Sequence, residues 1–301
     1  MSTTTFGFNN LRLAVLIDAE NVPRNSIKSV MEEVAIYGTP TVKRIYGDWT
    51  NPTVAGWKSS LLENAITPIQ QYSYTTGKNS SDSAMIIDAM DLLYSEKTDG
   101  FVIVSSDSDF TRLAIRLREA GQRVIGIGER KTPSAFIAAC DKFTYIEVIR
   151  AKSVENRRAA EEAHPEQEEA HPEQDEPQVD HDDTKGEDTK TNAKAREAAK
   201  PDAKGREASR QGAKQRAAKV PEAIVRLISD SVGDLAGDDG VVFMGELGNL
   251  ILKKQPDFDH RNFGFKSLSS MIKSIDRFQI EFRQTTDPNI KHVFVRDKEA
   301  G

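Results

Sequence analysis

The sequence predicts a doubly wound α/β domain, then a charged linker, then a small helical domain ending in a hairpin. Three observations predict it. Between residues 11 and 149, short apolar runs rich in β-branched residues alternate with segments of helical spacing, the pattern of crossover units in a mostly parallel sheet. From 151 to 219, large apolar side chains almost vanish while charge accumulates. From Val220 onward, helical periodicity returns. The expected domains are therefore 1–150, 151–219 and 220–301.

In the first domain, strands are expected at LRLAVLIDA (11–19), PTVKRIYGD (40–48), AITPIQQYS (65–73), GFVIVSSD (100–107), QRVIGIG (122–128) and KFTYIEVI (142–149). The segments between them, SIKSVMEEVAIYG, VAGWKSSLLENA, SDSAMIIDAMDLLYS, DFTRLAIRLREAG and SAFIAACD, place apolar residues at helical intervals. In such sheets, ligands sit beyond the carboxyl ends of the strands, where strand order reverses.

The middle segment begins acidic, with a tandem EEAHPEQ repeat, and turns basic from about residue 190. Neither half buries enough apolar surface to offset the entropy of ordering it, so a disordered linker is expected. About 70 such residues span on the order of 45 Å, which tethers the last domain without fixing its orientation. The basic half offers a second use, tracking a phosphate backbone nonspecifically. The acidic half largely accounts for the net charge of −6, so that charge does not argue against a nucleic-acid partner.

Composition narrows the chemistry. A chain of 301 residues suggests about two domains. Its single cysteine, Cys140, excludes an internal disulfide and disfavours cysteine-bound zinc. No signal-peptide pattern opens the chain and no apolar run is long enough to span a bilayer, so a soluble, cytoplasmic protein without a membrane partner is expected. All five histidines, His164, His171, His181, His260 and His292, lie in the linker or beyond it. A Ser-His-Asp triad, a histidine base and a His-ligated zinc are thereby excluded from the α/β domain.

Carboxylates remain. Asp18 ends the first strand and Asp107 ends the fourth, with Asp109 within a turn of it; Asp82 opens the helix that follows the loop TTGKNSSDS. Each has an ordinary reading as a strand-end or helix-start acid, because capping and the helix dipole favour carboxylates there. Four acids from distant segments converging on one rim need a cation, and hard oxygen ligands select Mg²⁺ or Mn²⁺. Asn21 stands where its amide can position a carboxylate or a water, and Lys78 where it can touch a phosphate. Asp88 and Asp91 read as solvated or paired acids in mid-helix. GIGER (126–130) is a weak fragment of a glycine-rich nucleotide loop.

LIDAEN, SDSAMIIDA and VIVSSDSDF, taken in that order, resemble the NYN domain of the LabA type, a branch of the PIN-like nuclease fold. The resemblance implies a metal-dependent nuclease of the ribonuclease kind, leaving a 5′-phosphate and a 3′-hydroxyl. It makes Asp18, Asp82 and Asp107 metal ligands, direct or through water, supported by Asp109 and Asn21. It also implies a further acid from an early helix, for which Glu63 is the nearest candidate. A haloacid-dehalogenase phosphatase is the rival enzyme, but its Asp-x-Asp pattern meets Glu20 here. A non-catalytic RNA-binding or scaffolding adaptor is the rival from another class.

In the last domain, VPEAIVRLISDSVG and FMGELGNLILKKQ have helical spacing, a turn and further helix follow, and FQIEFRQTTDPNIKHVFVRD reads as a hairpin. GELGNLILKKQPDFDHRNFGFKSLSSMI resembles the OST-HTH, or LOTUS, winged-helix module. That resemblance implies RNA as partner, with DNA as the alternative, and a protein partner through the same domain. Lys253, Lys254, Arg261, Lys266 and Lys273 are the candidate phosphate contacts. Phe263 and Phe265 read as core, and His260 and His292 as surface residues without a ligand set.

Overall fold

The computed structural model describes residues 11–51, 56–72, 80–163, 220–237, 239–284 and 291–299. The first domain is a sheet of six parallel strands with helices on both faces. Its elements run β1 (Leu11–Asp18), α1 (Ile27–Tyr37), β2 (Gly38–Gly47), α2 (Lys58–Asn64), β3 (Thr67–Gln70), α3 (Ser80–Tyr94), β4 (Gly100–Val104), α4 (Thr111–Glu119), β5 (Arg123–Gly128), α5 (Ser134–Ala139), β6 (Lys142–Tyr145) and α6 (Ile146–Ala163). Strand order is β3-β2-β1-β4-β5-β6. From β1 the chain winds outward to β2 and β3, then returns to β4 on the other side of β1 and winds the other way. The order therefore reverses between β1 and β4.

The period of two along a strand fills both faces. Leu13, Val15 and Ile17 of β1 enter one core with Ile27, Val30 and Val34 of α1 and Ile146 and Ile149 of α6. Ala14 and Leu16 enter the other, with Met85 and Ala89 of α3, Leu113 and Leu117 of α4, and Phe136 of α5. In β4, Val102 and Val104 face the first core, while Phe101 and Ile103 face the second. Each such aliphatic side chain, fully buried, contributes about 1.5–3 kcal/mol. That near-continuous burial of the central strands is why their sequences are apolar throughout.

One expected strand divides. KFTY forms β6, but IEVI begins α6, which runs to Ala163 and so takes up the head of the expected linker. Ile146 and Ile149 lie three apart and are both buried in the same core, a helical interval that a run of β-branched residues disguises as a strand. The rest of the linker, 164–219, lies outside the described residues, as do Lys78 and most of the loop before Asp82.

The last domain is built from α7 (Glu222–Leu235), β7 (Val241–Phe243), α8 (Met244–Lys254), α9 (Leu268–Lys273), β8 (Phe278–Gln284) and β9 (Lys291–Asp297). The expected hairpin is the antiparallel pair β8 and β9, and the short strand β7 joins its other side. Ile228, Leu247, Ile251, Met271, Ile272 and Val295 form its core. Phe263 and Phe265 pack against that core as expected. A capping box at Ser267 and Ser270 starts α9. No helix among the described residues is long and apolar enough to cross a membrane.

Candidate metal centre

The reversal of strand order opens a crevice at the carboxyl ends of β1 and β4, and the acids collect there. Asp18, the last residue of β1, is 2% exposed. Its Oδ1 accepts the Glu20 backbone N–H at 3.0 Å. Its Oδ2 accepts Asn21 Nδ2 at 2.7 Å and Ser105 Oγ at 2.9 Å. Asn21 thus positions a carboxylate. Ser105, fully buried just past β4, also accepts the Asp107 N–H on its Oγ at 3.1 Å. One hydroxyl therefore ties the end of β1 to the loop after β4.

Asp107 lies three residues beyond β4, where it caps the 3₁₀ turn Ser108–Phe110 by accepting the Asp109 N–H at 2.9 Å. Capping and site membership are not exclusive, since one oxygen holds the turn while the carboxylate stays at the rim. Phe110, fully buried, anchors that turn in the core. Across the crevice Asp82 sits in the first turn of α3, 8% exposed. Asp82, Asp107 and Asp109 each offer an oxygen within 4.8 Å of the others.

Burial, and then the negative charges of Asp18, Asp107, Glu20 and Asp109, push the Asp82 carboxyl up to about 6. The charges that act on it most are all acidic, so Asp82 is crowded by like charge. Three hard oxygen donors around a common point fit a divalent cation of the Mg²⁺ class. Asp18 is not one of the trio. Its oxygens accept hydrogen bonds from Asn21, Ser105 and the Glu20 amide, and among the neighbouring charges its own raises Asp82 most.

Two residues escaped sequence reading. Glu20 adds its charge to Asp82, and the Ser81 hydroxyl lies 3.5 Å from its Oε1; its place two residues after Asp18 was the available signal. Ser105 is an unremarkable serine in sequence, marked only by following an apolar strand. Glu63 is exposed on α2 and is not among the acids that act on Asp82. Asp88 pairs with Arg44 and Tyr46 away from the trio. The GIGER glycines have a packing reason. A Cβ at Gly128 would lie 2.6 Å from Ser105 O and 2.7 Å from Thr132 Oγ1, so β5 approaches the site loop closely only without a side chain there.

These elements decide what the chain is related to. The NYN domain family matches residues 12–147, and the OST-HTH/LOTUS domain family matches residues 215–290. The chain carries an NYN domain and an OST-HTH/LOTUS domain. NYN domains belong to the PIN-like nuclease superfamily, and the OST-HTH/LOTUS domain is an RNA-binding type.

A crystal structure of a protein of unknown function from Vibrio parahaemolyticus is similar over 48% of this chain and 96% of its own, with 18% identity and a TM-score of 0.40. A solution structure of an uncharacterized protein from Nitrosomonas europaea covers 33% of this chain and 95% of its own, with 28% identity and a TM-score of 0.26. A solution structure of a protein from Chromobacterium violaceum covers 28% and 90%, with 24% identity and a TM-score of 0.22. No curated protein matches the chain.

On the OST-HTH/LOTUS domain, the five candidate cations differ. Lys253 and Lys273 are exposed at the ends of α8 and α9. Lys254 pairs with Asp234 at 2.6 Å, and Lys266, highly exposed, lies 3.7 Å from Glu155 of α6. Arg261 is half-buried, its guanidinium bonded to Asp259 and to Glu33 of α1. His292 stacks beside Phe243 and Phe294, and His260 Nδ1 is bonded to the Phe265 carbonyl.

Proposed function

We propose that the protein is a metal-dependent nuclease acting on RNA, with the NYN domain cutting and the OST-HTH/LOTUS domain binding the substrate. The observation that carries this reading is the trio Asp82, Asp107 and Asp109, assembled at the strand-order reversal, with Asp82 crowded by like charge. Asp82, Asp107 and Asp109 would hold a Mg²⁺ or Mn²⁺ ion, which supplies Lewis-acid charge to the phosphate being cut. Asp18, kept in one orientation by Asn21 and Ser105, positions the cluster from behind. Ser105, through the Asp107 amide, and the Asp107 cap hold the β4 loop in place, so the acids need no rearrangement to meet substrate. Lys253 and Lys273 offer phosphate contacts on the second domain, and Lys78 on the first.

The test is cleavage of labelled RNA and DNA by purified full-length protein with Mn²⁺ or Mg²⁺. Cleavage of RNA in preference to DNA, stopped by EDTA and absent in Asp107→Asn, is expected. Tight RNA binding with no cleavage across a broad metal screen would replace the enzyme with an RNA-binding adaptor.

A further inference from the structure

β6 is the outermost strand of the parallel sheet, and an edge strand presents backbone groups that need partners. The Phe143 N–H of this strand donates to the Pro256 carbonyl of the OST-HTH/LOTUS domain at 2.9 Å. Proline has no N–H to return, so the contact closes the edge without extending the sheet. Two residues on, the Tyr145 hydroxyl donates to Asp257 Oδ2 at 2.7 Å.

Beside these contacts Arg261 lies between two carboxylates. Its terminal nitrogens donate to Glu33 Oε1 at 2.6 Å and Oε2 at 2.8 Å, and to Asp259 Oδ2 at 2.6 Å. The Glu33, Asp259 and Arg261 side chains are 2%, 6% and 19% exposed. Tyr37 donates its hydroxyl to Glu33 Oε1 at 2.8 Å, which fixes the carboxylate toward the guanidinium. At the exposed margin, Lys266 meets Glu155.

We infer that the segment Pro256–Arg261 and the surface formed by β6 and α1 are a specific docking interface, whose partner is the chain's own second domain. The selecting element is the buried Glu33–Arg261–Asp259 triad. A planar guanidinium meets a carboxylate on each side, a geometry that fixes orientation. Other orientations leave Glu33 buried without its guanidinium, so the charges discriminate against wrong docking. The two domains are held together in the full chain and do not drift on their tether. Arg261, expected from sequence to contact phosphate, is the latch.

The interface is read without any assay of activity. A dilute, equimolar mixture of ¹⁵N-labelled and unlabelled full-length protein is treated with a carbodiimide, which joins touching amines and carboxylates. Lys266–Glu155 cross-links of unmixed isotope are expected, whereas mixed-isotope links would assign the surface to a second copy and overturn docking in cis. Hydrogen exchange of the peptide containing Phe143 is then compared among variants, with β4 peptides as the folding reference. Arg261→Glu is expected to speed exchange at Phe143 at least tenfold with β4 unchanged, and Glu33→Arg combined with Arg261→Glu to recover part of the protection. Should Arg261→Glu unfold the second domain, Glu33→Gln reads the same interface from the other side, with the Arg261–Asp259 pair intact. Exchange at Phe143 as fast as in an open edge strand, or no change in either variant, would overturn the proposal.

Discussion

Two clusters of carboxylates in this molecule, one at an open rim and one buried, use the same residue types to opposite ends. At the rim, Asp82, Asp107 and Asp109 face one another with Asp18 and Glu20 behind, and burial with like charge pushes the Asp82 carboxyl up to about 6. Between the domains, burial alone would raise Glu33 and Asp259, but hydrogen bonds and charge from Arg261, helped by Tyr37 and Lys152 at Glu33 and by Lys142 at Asp259, hold both below the usual carboxylate range. The neighbours decide the direction: like charge around Asp82 adds to the effect of burial, while a guanidinium beside Glu33 and Asp259 overcomes it. The dependence on pH has opposite signs. A raised carboxyl stabilises the fold below its unfolded value near 3.8 and loses that contribution as pH rises through about 6. A lowered carboxyl contributes above its unfolded value and loses that contribution as pH falls through its depressed folded value.

The sharpest way to break the comparison is to remove the guanidinium. Arg261→Ala should cost up to about 3–5 kcal/mol, because it leaves two buried carboxylates with only the charges of Lys142 and Lys152 near them. Urea unfolding at neutral pH measures this, and the loss should shrink in acid as Glu33 and Asp259 take up protons. A cost under about 1 kcal/mol would mean that the triad is solvated and of no structural weight. Removing a carboxylate from the other cluster should act on chemistry instead. Asp107→Asn should lower metal-dependent cleavage by at least about 100-fold, the upper end of what a supporting group near a metal costs, while the melting temperature in EDTA changes little.

A smaller effect concerns stability without metal. Asp82→Asn relieves the crowding, so at pH 7–8 in EDTA it should stabilise the protein by about 1–2 kcal/mol, the shift being discounted for the solvent open to the rim. The gain should vanish below about pH 4, where the wild-type carboxyl is already protonated in both states. Added Mn²⁺ should reverse the order, stabilising wild type more than the variant. Smallest of all, at subsaturating metal the cleavage rate should fall on the acid side near pH 6, as a proton on Asp82 competes with the metal. Glu20→Gln should move that limb down by less than about one unit. An unmoved limb would mean that Glu20 is screened from the site.

Periodicity and turn chemistry made most of the fold legible. The alternation in LRLAVLIDA and GFVIVSSD feeds two cores, and its continuous apolarity already requires cover on both faces. The split of KFTYIEVI was illegible because Ile and Val suit either conformation, and only the packing of Ile146 and Ile149 into one core selects the helix. Asp18, Asp82 and Asp107 were found as acids at element ends. The partners of Asp18 were not all legible, since Asn21 lies three residues away in the same loop but Ser105 comes from the end of another strand.

By itself, the sequence determined most of the segments that form strands and helices, that the α/β domain has no histidine, and that its acids fall at the carboxyl rim of the sheet. Those properties follow from local spacing and composition. Tertiary structure alone decided that Asp82, Asp107 and Asp109 bring their oxygens together. It likewise decided that Arg261 meets Glu33, 228 residues away in the chain. A side chain's charge is written in the sequence, but its partner is set by which surfaces the fold brings within a few ångströms, where desolvation makes each pairing count.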